Sequence, residues 1–222
     1  MRHAWGRYGG GLLVLVLALG GPAVRAADVE TREFAVRVDK KQAGSYVMTF
    51  TRQDDGSVTL AAQANVRVSY LIYKVTYTYQ GTETWKDGQL VKLESTCNDD
   101  GKQFAVSAWV EGDGLKVRSN GQQRQTRRDV WTTTYWHAPD ARFHNQAVPL
   151  LDADTGLDIN AHCQYVGTEQ LPVAGQVQNC KHFRLSGGKT VDAWYDAQDR
   201  LVREESLEDG HRVVFELSRI RR

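Results

Sequence analysis

The residues best suited to chemistry are aromatic rings and a histidine at the end of one predicted strand. Tyr135, Trp136 and His137 are consecutive there. Ring faces can stack on apolar groups, and an imidazole can hold a polar atom, so this triplet favours binding over bond cleavage. Trp85 and Trp109, in earlier predicted strands, are expected to line the same concave face. The alternative is an ordinary aromatic core closed by a crossing loop.

Common catalytic and metal-binding signatures are absent from the sequence. It contains no Gly-x-Ser-x-Gly turn, no phosphate-binding glycine loop and no His-Glu-x-x-His. His162 and His182 neighbour Cys163 and Cys180, but no pair has the spacing of a zinc motif. The sequence therefore predicts no metal, no cofactor and no catalytic residue, and it leans away from an enzyme. A carboxylate pair assembled only by the fold stays open.

The three cysteines leave one pairing question open. Cys163 and Cys180 lie in consecutive predicted strands, whereas Cys97 is distant in the chain. An exported protein meets an oxidising environment in which a disulfide can form. Cys163 and Cys180 are the candidate pair, although their register across the intervening turn does not make them obvious partners.

The first residues follow the order of a secretory signal peptide. Arg2 and Arg7 precede the apolar run Gly11–Leu19, and small residues end at Ala26. The run is far shorter than the ~20 residues that cross a bilayer. We expect residues 1–26 to be removed and the mature chain to reach the periplasm without a stable membrane span.

Charge is balanced and interspersed along the chain. The 222 residues include 28 Lys and Arg and 27 Asp and Glu. Nucleic-acid-binding proteins concentrate basic side chains on one surface, so this composition argues against a nucleic-acid partner.

Alternation of apolar and polar residues predicts how these side chains are positioned. Phe34, Val36 and Val38 share one face of a strand, and the same period of two recurs through most of the chain. Asp-Gly pairs punctuate the pattern, and three of them begin every 13 residues, at Asp87, Asp100 and Asp113. Such pairs suit tight hairpins. We expect one β-rich domain over residues 27–222.

Residues 120–158 depart from this pattern. Gln122–Arg128 is polar and is expected to be a surface loop, and the stretch with Pro139 and Pro149 lacks alternation. The fold class that we predict is mainly β. It is a single strongly curved antiparallel sheet or incomplete β-barrel, with a crossing loop or short helix.

Several of these strings together resemble the DUF6134 family of exported bacterial proteins. They are the hairpin Phe34–Phe50, Thr82–Gly88, Asn98–Lys102, Tyr135-Trp136 with Asp152–Gly156, and the closing Trp194–Asp196, Leu201-Val202 and the strand after Gly210. The resemblance implies architecture and supplies no catalytic residues. The end of the chain also looks, more weakly, like DUF3108 and outer-membrane lipoprotein carrier proteins, which implies an incomplete barrel around an apolar concavity.

Three functions follow, in order of preference. The first is a periplasmic protein that binds or carries an apolar or amphipathic ligand such as a lipid, with Trp85, Trp109, Tyr135 and Trp136 as lining and His137 as a polar contact. The second is an envelope assembly or scaffold protein that binds another protein. The third is an enzyme with an unfamiliar site.

Overall fold

The computed structural model describes residues 28–70 and 73–222. The predicted signal peptide, residues 1–26, lies outside the described residues, so its removal and the export of the chain stay predictions. In the described part of the chain, no helix has the length and apolar character that crossing a membrane requires.

Fifteen strands and one short 3₁₀ turn make up the described secondary structure. The strands are β1 Asp28–Val38, β2 Lys41–Arg52, β3 Val58–Tyr70, β4 Tyr73–Lys86, β5 Gln89–Asp99, β6 Lys102–Glu111, β7 Gly114–Ser119, β8 Gln122–Arg127, β9 Trp131–Thr132, β10 Gln146–Leu151, β11 Asp158–Val173, β12 Gln176–Gly187, β13 Lys189–Tyr195, β14 Leu201–Glu208 and β15 His211–Arg221.

All fifteen strands belong to one sheet whose two ends do not pair. The order is β8-β7-β6-β5-β4-β3-β2-β1-β15-β14-β13-β12-β11-β10-β9. Neighbours are antiparallel except β9 and β10, which are parallel. The first and last strands pair in the middle of the sheet, whereas β8 and β9 form its edges. The mainly antiparallel, unclosed sheet confirms the predicted fold class.

The inner face of this sheet carries the core. Tyr46 and Met48 of β2 are buried and lie opposite the small residues Ala64 and Ala62 of β3. Large side chains opposite small ones fill the concave side without crowding. Burial of one such large apolar side chain contributes about 1.5–3 kcal/mol. The period of two in the sequence thus becomes one apolar inner face.

The two edges of the sheet are joined by side-chain hydrogen bonds and not by strand pairing. The turn Asp152–Asp158, between β10 and β11, lies against β5, β7 and β8. Ser95 and Ser119 donate hydrogen bonds to backbone carbonyls of this turn, at 2.5 and 2.6 Å. Arg124 donates to both carboxylate oxygens of Asp158, at 2.5 and 3.0 Å. The turn therefore tethers the unclosed sheet.

Replacement of Gly156 in this turn by alanine tests how tightly the turn is packed. Gly156 has a φ of +74°, and a Cβ there would lie 3.1 Å from Ser119 Cβ and 3.1 Å from Val106 Cγ1. Gly88 has a similar φ of +72° but open space around it. Both alanine variants place a residue with a Cβ at a positive φ, which destabilises the folded state by about 1 kcal/mol. Only Gly156→Ala adds a steric clash. We expect Gly156→Ala to lower the free energy of unfolding by about 1–2 kcal/mol more, measured by urea denaturation. Equal losses in the two variants would contradict this packing.

The segment of residues 120–158 differs in part from its prediction. Gln122–Arg127, expected to be a loop, is strand β8. An edge strand with polar residues on both faces shows no alternation, so the pattern could not reveal it. The only helical element among the described residues is the three-residue 3₁₀ turn Ala141–Phe143. The short helix that the sequence offered as an alternative to a crossing loop is therefore a single 3₁₀ turn.

A disulfide between Cys163 and Cys180 does not form. Cys163 lies opposite Leu185 and Cys180 lies opposite Glu169, and both thiols are free and buried. Five residues of β12 separate the two ladder positions, which is about 17 Å along a strand. A disulfide needs Cα atoms within ~7 Å. The offset between these positions overturns the suggested pair.

Candidate functional site

Four of the five predicted binding residues, Trp85, Tyr135, Trp136 and His137, come together in one aromatic cluster. The Trp136 ring centroid lies 4.2 Å from that of His137 and 5.8 Å from that of Trp85. Tyr135 is joined to the group through Trp131, at 5.2 Å. Strand β4 presents Trp85, β9 presents Trp131, and the segment after β9 presents the other rings. The sequence thus identified a real aromatic cluster.

Trp109 is separate from this cluster. Its neighbours across β6 are Lys92 and Lys116, and the Arg118 guanidinium lies 5.4 Å from its ring centroid. Ala108, the adjacent residue, is fully buried on the inner face. Because successive side chains of a strand point to opposite faces, Trp109 lies on the outer face. The sequence predicts that Trp109 lines the concave side, but the residue does not lie there.

The aromatic cluster is tightly packed. Trp85 and Tyr135 are each 3% exposed. Burial lowers the pKa of His137, and its Nδ1 lies 2.7 Å from its neighbour's carbonyl oxygen, that of Ala138. Only Tyr135 of the predicted set also faces the interior cavity described next. A ligand role for the set stays a prediction.

An interior cavity of about 400 Å³ lies between the inner face of β3–β5, the Asp152–Asp158 turn and the inner face of β13–β15. One part of its wall is apolar and consists of aliphatic and aromatic side chains. This part includes Val38, Val66, Val68, Val75, Ile159, Val213 and Phe215. The volume falls within the ~300–1,000 Å³ typical of small-molecule sites. Its shape and lining suit a molecule with a substantial apolar part.

Ionisable and phenolic groups make up the other part of the wall. The acids are Asp99, Asp152, Asp154, Glu204, Glu208 and Asp209, the basic residues are Lys189 and His211, and the tyrosines are Tyr46, Tyr77, Tyr79 and Tyr135. The cavity is therefore amphipathic and has an excess of carboxyl groups.

Asp154 is placed in the cavity by the Asp152–Asp158 turn. The hydroxyl of Tyr77 donates a hydrogen bond to its Oδ2 at 2.9 Å. Burial, followed by the nearby charge of Asp152, raises the pKa of Asp154 to about 7, although the bond from Tyr77 opposes the rise. Near neutral pH this carboxyl therefore exists in both protonation states.

Glu204 projects into the cavity from β14. Burial raises its pKa to about 8, and only the charge of Lys189 opposes this, because Glu208 and Asp154 repel a negative charge there. The Lys189 ammonium is itself paired with Glu208, at 2.7 Å. Among the described residues, no side chain donates a hydrogen bond to Glu204. The charge of Lys189 is therefore what favours the ionised form of this carboxyl.

A third carboxyl with a raised pKa, Glu83 of β4, is fully buried beneath the aromatic cluster. It accepts hydrogen bonds from Trp85 Nε1 at 2.6 Å, Thr132 Oγ1 at 3.1 Å and Thr134 Oγ1 at 3.0 Å. Burial raises its pKa to about 7 against the effect of these donors. Because Thr134 and Tyr135 line the cavity, Glu83 fixes part of the cavity wall.

His182 belongs to a different cluster, on the outer face of β11–β13. Its Nδ1 lies 2.7 Å from Glu169 and its Nε2 lies 2.7 Å from Asp192. The imidazole also stacks on Trp194, at 4.3 Å between centroids. With both ring nitrogens engaged, the histidine is a structural link. Across the described ranges, no group of three or more His, Cys, Asp or Glu side chains could hold a metal ion.

A second depression, of about 540 Å³, lies over β3–β6. It is bordered largely by amides and hydroxyls: Gln63, Asn65, Thr78, Gln80, Thr96, Asn98, Gln103 and Asn120. Most of these side chains are exposed on the outer face. Its other lining residues are Ala64, Tyr79, Cys97, Phe104 and Ala105, and its lining contains no Asp, Glu, Lys, Arg or His. The interior cavity combines an apolar wall with charged groups and is therefore the stronger candidate site.

The sequence interpretation missed Asp154, Glu204 and Lys189. Asp154 lies within a string that resembled DUF6134, but its type and spacing indicated only a turn. Glu204 is one of the alternate residues of β14 that face the cavity with Ser206 and Glu208. Polar residues at three successive inward positions could have identified it, had the inward face been known.

The comparisons agree with this architecture. A crystal structure of a beta-barrel-like protein of the domain of unknown function DUF1849, from Brucella abortus, matches with a TM-score of 0.62 and 11% identity, over 89% of this chain and 98% of that one. At that identity the likeness shows the fold alone. A search of curated proteins found no match. The family model described as Domain of unknown function (DUF6134) matches residues 34–218, which is most of the chain, so the protein belongs to the DUF6134 family.

Proposed function

We propose that this protein is a periplasmic binding or carrier protein that holds an apolar or amphipathic ligand, such as a lipid, in its interior cavity. The observation that carries the proposal is the cavity of about 400 Å³ inside an otherwise packed sheet. Its apolar wall would bury the body of a ligand, and its few polar groups would orient one end. The barrel-like fold shared with the Brucella abortus structure is compatible with such a role.

The periplasmic location rests on the signal-peptide pattern of residues 1–26. Fractionation of the native host, with an antibody against the mature chain, tests it. Protein in the periplasmic extract with Ala27 as its first residue supports export. Full-length protein in the cytoplasm contradicts it.

Filling the cavity tests the binding proposal. Ala64 is buried and lines the cavity, whereas Ala61 is exposed on the outer face of the same strand. We expect Ala64→Phe to weaken binding of the apolar fluorescent probe N-phenyl-1-naphthylamine about tenfold or more, because the new ring occupies the cavity. Ala61→Phe should leave binding unchanged. Fluorescence titration measures both.

Two results would count against the proposal. One is probe binding that is equal in the two variants, and the other is no binding by the unaltered chain. Native mass spectrometry of protein purified from its host provides an independent measurement. A co-purified apolar or amphipathic molecule that Ala64→Phe abolishes supports a carrier.

A second candidate function is an enzyme, because Asp154 and Glu204 converge on one cavity with raised pKa values. A carboxyl with a pKa near neutrality can act as a general acid. Chromogenic esters and glycosides provide the test. Turnover that Asp154→Asn abolishes would favour the enzyme, whereas probe binding without turnover favours the carrier.

A further inference from the structure

We infer that the cavity selects ligands with a positively charged head, an ammonium group held between the carboxyls of Asp154 and Glu204 and the neighbouring tyrosine rings. This inference rests on the proposed function and deepens it. The ligand class is an amphipathic cation whose apolar part lies along the aliphatic wall.

The first support is the imbalance of charge. Six carboxyl groups line the cavity, against the basic residues Lys189 and His211. Lys189 is already paired with Glu208, and His211 is paired with Asp39, at 2.6 Å. The basic side chains of the lining thus have carboxylate partners of their own. The carboxyl groups thus outnumber the basic groups of the lining, so the cavity favours a ligand that brings positive charge.

The second support is that polar groups of the cavity wall have few hydrogen-bond partners. Glu204 receives no hydrogen bond from a described side chain, and Asp154 receives one side-chain hydrogen bond, from Tyr77. The hydroxyl of Tyr79, a residue that is 4% exposed, also lacks a partner within the described residues. Asp154 and Glu204 are partly removed from water, and a carboxylate in that position is destabilised unless a cation compensates its charge. A bound ammonium would supply that compensation.

The third support is the aromatic part of the lining. Tyr46, Tyr77, Tyr79 and Tyr135 all contribute to the cavity wall. The face of an aromatic ring attracts a cation within about 6 Å, and cages of such rings recognise quaternary ammonium groups. Tyrosines beside carboxyl groups therefore suit a methylated ammonium, which has little need of hydrogen-bond acceptors.

Three probes with the same decyl chain test the inference on the full mature chain. They are decyltrimethylammonium, decyldimethylamine oxide, which has no net charge at neutral pH, and decanoate, which is an anion. Isothermal titration below micelle-forming concentrations measures the affinities. We expect the cation to bind at least about tenfold more tightly than the amine oxide, and decanoate to bind most weakly.

Variants of the two carboxyl residues test whether these residues cause the preference for the cationic probe. Asp154→Asn and Glu204→Gln keep the size of each side chain but cannot ionise when a cation binds. Each should lower the affinity for the cation about tenfold while leaving that for the amine oxide nearly unchanged. Glu111→Gln is the control, because Glu111 is exposed and does not line the cavity.

The outcomes separate this inference from the proposed function. Equal binding of all three probes in the cavity overturns the charge selectivity and keeps the carrier. Preferred binding of decanoate also overturns it. Loss of binding to every probe by the unaltered chain overturns the carrier as well. Cation selectivity that survives both carboxyl variants removes Asp154 and Glu204 from the site.

Discussion

Raising the pH from about 5 to about 9 should lower the free energy of unfolding by several kcal/mol. In the folded chain the pKa values of Glu83 and Asp154 are raised to about 7 and that of Glu204 to about 8. In the unfolded chain these groups ionise near pH 4, so between pH 4 and 8 the folded state binds more protons. Stability that comes from their protonation is fully present below pH 4 and is lost as the pH rises through 7 and 8.

The raised pKa values of the three carboxyls set the size of the expected fall in the free energy of unfolding. Each unit of difference between folded and unfolded pKa corresponds to about 1.4 kcal/mol, so the three groups together outweigh a typical surface ion pair. The double variant Asp154→Asn with Glu204→Gln should flatten most of the decline and leave the part due to Glu83. Chemical denaturation at a series of pH values measures this. A stability profile of the unaltered chain that is flat from pH 5 to 9 would contradict the raised pKa values of these carboxyls.

Below pH 4 other groups reverse the trend. Asp55 has a pKa lowered to about 2 by hydrogen bonds from the side chain and backbone of Ser57 and from Lys86. The pKa of Glu205 is also lowered, chiefly by its hydrogen bond from Arg212. A lowered pKa contributes stability above the unfolded value that is lost on acidification. We therefore expect maximum stability near pH 4, where the unfolded-state carboxyls begin to ionise.

Glu83→Ala should be the most damaging single substitution that we propose, at about 3–5 kcal/mol. The substitution leaves the buried donors Trp85 Nε1, Thr132 Oγ1 and Thr134 Oγ1 without their shared acceptor. An orphaned buried donor costs about 1–3 kcal/mol, and the lost side chain adds a small cavity. The bond of 2.8 Å between the two threonine hydroxyls limits the total. Urea denaturation at pH 6 measures the loss.

Glu94→Ala is the matched control for this substitution. Glu94 lies on the adjacent strand β5, but its side chain is exposed and bonds to Ser107 on the outer face. Its removal should cost less than about 1 kcal/mol. Comparable losses in the two variants would mean that Glu83 is not the anchor of residues 132–134. In that case the cavity wall around Tyr135 would have another support.

Loss of Glu83 should also affect binding. Thr134 and Tyr135 line the cavity, and Glu83 is what holds Thr134 against β4. The conservative variant Glu83→Gln retains one acceptor oxygen and should fold better than Glu83→Ala. Weaker probe binding in Glu83→Gln than in the unaltered chain would link this carboxyl to the shape of the site.

Local sequence patterns were sufficient to predict the architecture. Alternation in Phe34, Val36 and Val38 requires only that successive side chains of a strand point to opposite faces, and all three are buried. Asp87-Gly88 and Asp100-Gly101 form turns between paired strands, with positive φ at each residue. The proximity of Tyr135, Trp136 and His137 follows from adjacency in the chain.

The candidate site depended on tertiary structure. The period of two states which residues of β14 share a face, but it cannot state that Glu204 is turned inward, because Arg203 and Glu205 are equally polar. That choice is made by the register of β14 with β13 and β15, where Glu204 lies opposite Ala193 and Phe215. Register results from burial summed over a whole strand and its neighbours.

Sequence alone therefore determined a curved antiparallel sheet, its turns and the family, since these depend on contacts within a strand or across one hairpin. Only the tertiary structure brought Asp154, from the turn after β10, to the same cavity as Glu204 and Tyr77. Those residues are separated by 50 or more positions, and their meeting depends on the curvature of fifteen strands. A carboxyl acquires its raised pKa from that surrounding protein, so no local pattern of residues could display it.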